Sequence, residues 1–204
     1  MVMAEATNHY FKHLGVSDGL SQVCIPSIYQ DELGAVWLGT TEGLNRYNGK
    51  DVKVFQPSES NHGLTNNEIN ELCGDKNGRM YIRSGNDLIK LDIYTEQFTC
   101  LRQKGVYGLF CKKDTLWVSC ADGIYYYTGQ GTELTFFARV QKGFVGRALY
   151  VDKETVWVVT RKYLVAISRE DPLRQEILLT LDKGNCILGD SSGNIWVGAW
   201  NGLY

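Results

Sequence analysis

Few residues of this chain have the type and spacing for covalent chemistry. Histidine occurs three times, at His9, His13 and His62. His9 and His13 bracket a short alternating strand and His62 stands in a polar loop, so no metal site is expected. No phosphate-binding loop is present. The six cysteines, Cys24, Cys73, Cys100, Cys111, Cys120 and Cys186, are scattered without a Cys-x-x-Cys. They read as small residues of apolar strands rather than ligands or bridges. No catalytic residue and no cofactor is expected. What remains suits non-covalent recognition. Trp200 and Asn201 share one loop, and Arg161, Asp122, Asn86 and Glu42 occupy loops at corresponding positions earlier in the chain. A flat apolar face beside planar hydrogen-bonding groups is the chemistry that holds an oligosaccharide. These six residues are the candidate ligand site.

The loops correspond because the chain repeats. Trp37, Tyr81, Trp117, Trp157 and Trp196 anchor five copies of one pattern, with a period of about 40 residues. Six residues after each anchor stands Gly43, Asp87, Gly123, Tyr163 or Gly202, and the next residue is always Leu or Ile. Six before stands Asp31, Asp75 or Asp190, and Gly34, Gly78 or Gly193 follows three residues later. Asp152 lies five before its anchor. Short runs of strand formers divided by such turns, about four strands per period, predict β-propeller blades. The aspartates are expected to accept bonds from backbone amides two residues on. The anchors are expected to pack between sheets rather than stack on sugars. Loops joining second and third strands share one propeller face, so the candidate site lies around the central channel.

The expected fold is all-β, a β-propeller fragment of four four-stranded blades plus part of a fifth. The blades cover about 20–56, 64–101, 106–137, 144–181 and 185–204. Val23 to Tyr29 is expected as the first inner strand, with Pro26 an irregularity. Tyr10 to Leu14 alternates like an outer strand and is expected to close the ring. The chain stops at Gly202-Leu203-Tyr204, inside a third strand, which favours a piece of a longer propeller over a five-bladed ring.

Composition excludes other classes. Charged residues make up 22% and the net charge is −2, without a Lys/Arg-rich run, so no nucleic acid is expected as partner. No stretch reaches the roughly 20 apolar residues needed to span a bilayer. The start, MVMAEATNHY, lacks the features of a signal peptide.

The run QDELGAVWLGTTEGLNRYNGKDVKVF, preceded by HLGVSDGLSQ, closely resembles the two-component regulator propeller repeat. GDKNGRMYIRSGNDLIKLD and GDSSGNIWVGAWNGLY are similar to the same pattern. The third and fourth copies lack the Asp-x-x-Gly turn, and Tyr163 replaces Gly. The resemblance implies a non-catalytic periplasmic sensor region of a hybrid two-component system. Its parent would be membrane-anchored and dimeric, would sense oligosaccharide, and would carry its histidine kinase elsewhere. Two other classes stay open. Streptogramin lyase-type propellers carry similar repeats but need a histidine and a carboxylate converging on the central face. A protein-interaction scaffold would instead show a large apolar face.

Overall fold

The computed structural model describes residues 11–57 and 63–204. Five antiparallel sheets follow one another along the chain, each a simple meander. The first pairs β1 (Ser27–Gln30), β2 (Val36–Thr40), β3 (Gly43–Tyr47) and β4 (Val52–Phe55). The second pairs β5 (Ile69–Gly74), β6 (Arg79–Ser84), β7 (Asp87–Asp92) and β8 (Gln97–Arg102). The third contains β9 (Val106–Lys112), β10 (Thr115–Cys120), β11 (Gly123–Tyr127) and β12 (Thr135–Ala138). The fourth contains β13 (Gly146–Val151), β14 (Thr155–Thr160), β15 (Tyr163–Ser168) and β16 (Gln175–Thr180). The fifth has three strands, β17 (Cys186–Gly189), β18 (Ile195–Ala199) and the two-residue β19 (Gly202–Leu203). Among the described residues no helix is long and apolar enough to cross a membrane.

Each sheet is a propeller blade, and the inner strands β1, β5, β9, β13 and β17 succeed one another around the axis. One rule governs the packing. The anchor-bearing face of a blade lies on the aliphatic face of the next. Trp37 packs with Leu72, Ile82 and Ile89 of the second blade. Tyr81 packs with Leu109, Leu116 and Val118 of the third. Trp117 packs with Leu149, Val156 and Val165 of the fourth. Trp157 packs with Ile187, Ile195 and Val197 of the fifth. Each interface therefore buries one large ring against β-branched and leucine side chains, which removes apolar surface from water on both sides.

The turn aspartates are better connected than the spacing alone implies. Asp31 Oδ1 accepts from the Leu33 and Ala35 amides at 3.0 and 2.9 Å, closing the turn as expected. Its Oδ2 accepts from Trp37 Nε1 at 2.7 Å. Asp152 with Trp157 and Asp190 with Trp196 repeat that bond at 2.7 and 2.9 Å. In the second blade the anchor is Tyr81, and the Arg79 guanidinium takes the free oxygen of Asp75 instead. The third blade has no aspartate in the place of Asp31; its tight Lys113-Asp114 turn places Lys113 at φ 52°, a conformation that glycine adopts at lower cost.

Three expectations about elements are corrected. β1 begins at Ser27, not Val23, because Pro26 has no amide to donate and the ladder starts just past it. The proposed closing strand does not form over residues 11–14: Phe11 is 95% exposed, and Lys12 donates to Tyr47 Oη at 2.9 Å. That contact lays the segment beside the first blade rather than along the fifth; Tyr10 itself lies outside the described residues. The anchors also differ in burial. Trp37 and Trp117 are buried, whereas Trp196 is 43% exposed because no described sheet packs on its side of the fifth blade.

Candidate functional site

Every candidate site residue sits in a turn between the second and third strands of its blade. Glu42 lies between β2 and β3, Asn86 between β6 and β7, and Asp122 between β10 and β11. Arg161 lies between β14 and β15, and Trp200 and Asn201 between β18 and β19. Two of these turns are closed by one local device. Thr40 Oγ1 donates to the Gly43 carbonyl at 2.8 Å and accepts from the Glu42 amide at 3.0 Å. Thr160 Oγ1 does the same for Tyr163 and Lys162. Each turn is also pinned by a backbone bond to the connection that enters its own blade or the next one. Gly43, Gly85, Ala121, Gly184 and Trp200 take part in amide-to-carbonyl bonds of 2.7 to 3.0 Å with neighbouring connections. The turns are consequently rigid platforms for the side chains that project from them.

Two of the six candidates meet. Arg161 and Trp200 line a cavity of about 460 Å³ together with Arg147, Lys183 and Asn185. A second cavity, of about 300 Å³, shares Arg147 and Arg161 as its wall and adds Tyr107, Phe144 and Lys162. Both volumes are on the scale of small-ligand sites. Trp200 is 78% exposed, and the Lys183 ammonium sits over one face of its indole, 4.8 Å from the ring centre. The opposite face of that ring is the flat apolar surface that the sequence calls for.

The other four candidates do not join them. Asp122 is engaged: its carboxylate accepts from Arg102 Nη2 at 2.7 Å and from Tyr125 Oη at 2.9 Å. Partial burial works against the Asp122 carboxylate, but the Arg102 and Tyr125 bonds outweigh it and hold its pKa below the ordinary range. Asn201 donates to Tyr204 Oη at 2.8 Å. Glu42 and Asn86 line neither cavity. The sequence reading missed Arg147, Lys183, Lys162, Tyr107 and Phe144. Lys162 stands five residues after its anchor, as Glu42, Asn86, Asp122 and Asn201 do after theirs, so the repeat did mark its position; the other four lie outside that register, and periodicity could not single them out. Their one shared signal is proximity in sequence to an inner strand or to the turn that faces it. Among the described residues the one histidine is His13, which precedes the first blade and lines neither cavity; His9 and His62 lie outside the described residues.

Five meander sheets arranged blade on blade define this protein as a β-propeller. The family model described as two component regulator propeller matches residues 19–42. A histidine kinase P4 from Formosa agariphila is 40% identical over 53 residues, 26% of this chain and 4% of that protein. Among solved structures, the chain superposes on the extracellular domain of a Bacteroides thetaiotaomicron protein described as a hybrid two component system. The TM-score is 0.82 at 23% identity, covering 94% of this chain and 30% of the other. A second B. thetaiotaomicron extracellular domain, described as belonging to a one component system, gives a TM-score of 0.76 at 19% identity, covering 93% and 31%. The chain thus spans less than a third of each of these relatives.

Proposed function

We propose that this chain is a ligand-sensing segment of the extracytoplasmic region of a hybrid two-component system. It carries no chemistry of its own; an oligosaccharide binds on its loop face, and the signal passes to a histidine kinase outside this chain. The observation that carries the reading is the cavity between the fourth and fifth blades, where Trp200 and Arg161 come together on rigid turns. Support for the sensor context comes from the propeller repeat at residues 19–42 and from the descriptions of the B. thetaiotaomicron relatives. A propeller suits this task. Its blades bury their anchor rings, and its turns supply variable side chains at fixed positions.

Titration calorimetry of the chain against a panel of oligosaccharides tests the reading. Binding by at least one class, weakened at least tenfold by Trp200→Ala (about 1.4 kcal/mol), is the expected result. Binding unaffected by Trp200→Ala would remove this cavity from the function. Heat of turnover, or products in the cell after the titration, would overturn the non-catalytic assignment.

A further inference from the structure

The lining of the two joined cavities is charged in one sense. Arg147 comes from the start of β13, Arg161 and Lys162 from the β14–β15 turn, and Lys183 from the β16–β17 connection. No Asp or Glu is among the lining residues. Among the described residues, none of these four cations forms an ion pair, whereas Arg46, Lys53, Arg79, Arg83 and Arg102 all do. The concentration is local, since the chain as a whole has a net charge of −2. In the equivalent turn of the third blade, Asp122 is paired with Arg102. Four like charges around one concave surface raise its potential and repel one another until an anion arrives.

We infer that the oligosaccharide recognised here is acidic, bearing carboxylate or sulfate groups on its sugar rings. This rests on the sensing reading above and narrows its ligand class. Arg147 and Arg161, on the wall common to both cavities, offer planar forks that match a carboxylate or sulfate. Lys162 and Lys183 flank them as point charges. Trp200 supplies the ring face on which an adjoining sugar stacks. Charges at a solvated rim attract their ligand in a salt-dependent way, while the stacking contact is much less sensitive to salt.

The test compares three tetrasaccharides by calorimetry: tetragalacturonate, a sulfated uronate–glucosamine tetrasaccharide, and neutral cellotetraose. Either acidic probe is expected to bind at least tenfold tighter than cellotetraose, an advantage of about 1.4 kcal/mol. That advantage shrinks as salt is raised through the physiological range. Arg147→Gln and Arg161→Gln, both at exposed positions, are expected to abolish the preference without lowering the melting temperature. Trp200→Ala weakens whichever probe binds. Cellotetraose binding equal to or tighter than the acidic probes, in a Trp200-dependent way, overturns the acidic ligand and leaves the sensing reading standing. Acidic probes that bind equally to wild type and both arginine variants overturn it as well. Failure of all three probes, together with failure of the full panel, overturns both.

A separate observation concerns the cysteines. Cys73 on β5 and Cys111 on β9 face each other across the interface of the second and third blades, with their sulfurs 2.7 Å apart. Two unbonded heavy atoms prefer a separation of about 3.5–4.0 Å or more. The geometry points to a Cys73–Cys111 disulfide as a cross-blade link, formed when the chain meets a disulfide oxidant such as oxidised glutathione. One thiolate attacks the oxidant and releases a glutathione thiol; the other attacks the mixed disulfide and releases the second. Two thiols become one protein disulfide, and one glutathione disulfide becomes two thiols. Burial pushes the Cys73 thiol well above its ordinary range, so the thiolate is scarce once the blades are packed and exchange is fastest during folding. Refolding with oxidised glutathione followed by peptide mapping under non-reducing conditions is expected to recover the Cys73 and Cys111 peptides joined, and to raise the melting temperature. Recovery of both as free thiols, or of Cys73 joined to another cysteine at equal yield, overturns the link. Cys111→Ser, which cannot form the bond, is expected to lose the oxidant-dependent gain in melting temperature.

Discussion

Asp31 uses both carboxylate oxygens, one to close the turn after β1 and the other to hold the indole of Trp37. Both groups are buried. Removing the carboxylate leaves an indole N–H and two amides without their acceptor in a water-poor site. Asp31→Ala is therefore expected to cost on the order of 3 kcal/mol in chemical denaturation, and a loss below about 1 kcal/mol would contradict this account. Asp190 makes the same bonds at an exposed position. Hydrogen bonds from Trp196 and Asn194 lower its carboxyl to about 2, against an ordinary 3.8. The folded state thus binds the proton less tightly than the unfolded one. The stabilisation is present above 3.8 and is lost as pH falls toward 2. The Trp196 indole N–H resonance is expected to shift over that window, and Asp190→Ala should remove the shift. An indole resonance insensitive to acid in the wild type would rule this out.

At the scale of elements, blade interfaces depend on close approach of inner strands. Gly108 on β9 is the clearest case, because an added Cβ would meet the Arg147 carbonyl oxygen of β13 at 2.6 Å. The obstacle is backbone, which has no rotamer by which to retreat. Gly108→Ala is expected to destabilise the protein by about 1–3 kcal/mol and to displace Arg147 from the shared cavity wall. A binding measurement on the acidic probe should consequently weaken even at temperatures where the variant stays folded. If stability fell with affinity unchanged, the positioning of Arg147 would not depend on this contact.

For the whole molecule, the packing rule leaves two faces open. The fifth blade presents Leu188, Trp196 and Leu203, and the first presents Ile28 and Val54, all exposed. One is an anchor face and the other an aliphatic face, the same pair that joins each blade to the next. A head-to-tail contact between two copies would bring these two faces together. Sedimentation velocity is expected to show association that rises with concentration, and Trp196→Asp is expected to suppress it. A monomer at every accessible concentration would show that these faces do not attract each other.

Blade count, turn aspartates and anchor positions were legible in the sequence because they are local. A turn needs its Asp and Gly within four residues, and a strand needs its alternation within six, so a single copy of the repeat can carry both, as the first, second and fifth do. Propeller geometry likewise placed Glu42, Asn86, Asp122, Arg161 and Trp200 in equivalent turns. Which of those turns share a ligand was decided only by tertiary structure. Arg147 comes from β13, and Arg161, Lys183 and Trp200 come from three different strand connections, while Asp122 is taken out of the set by Arg102. Cys73 and Cys111, isolated in sequence, meet across a blade interface. The physical reason is that contacts between blades join residues about one period apart. Periodicity says where a side chain sits within its own blade, but the chemistry of its neighbour in the next blade is free to vary, and only packing brings the two together.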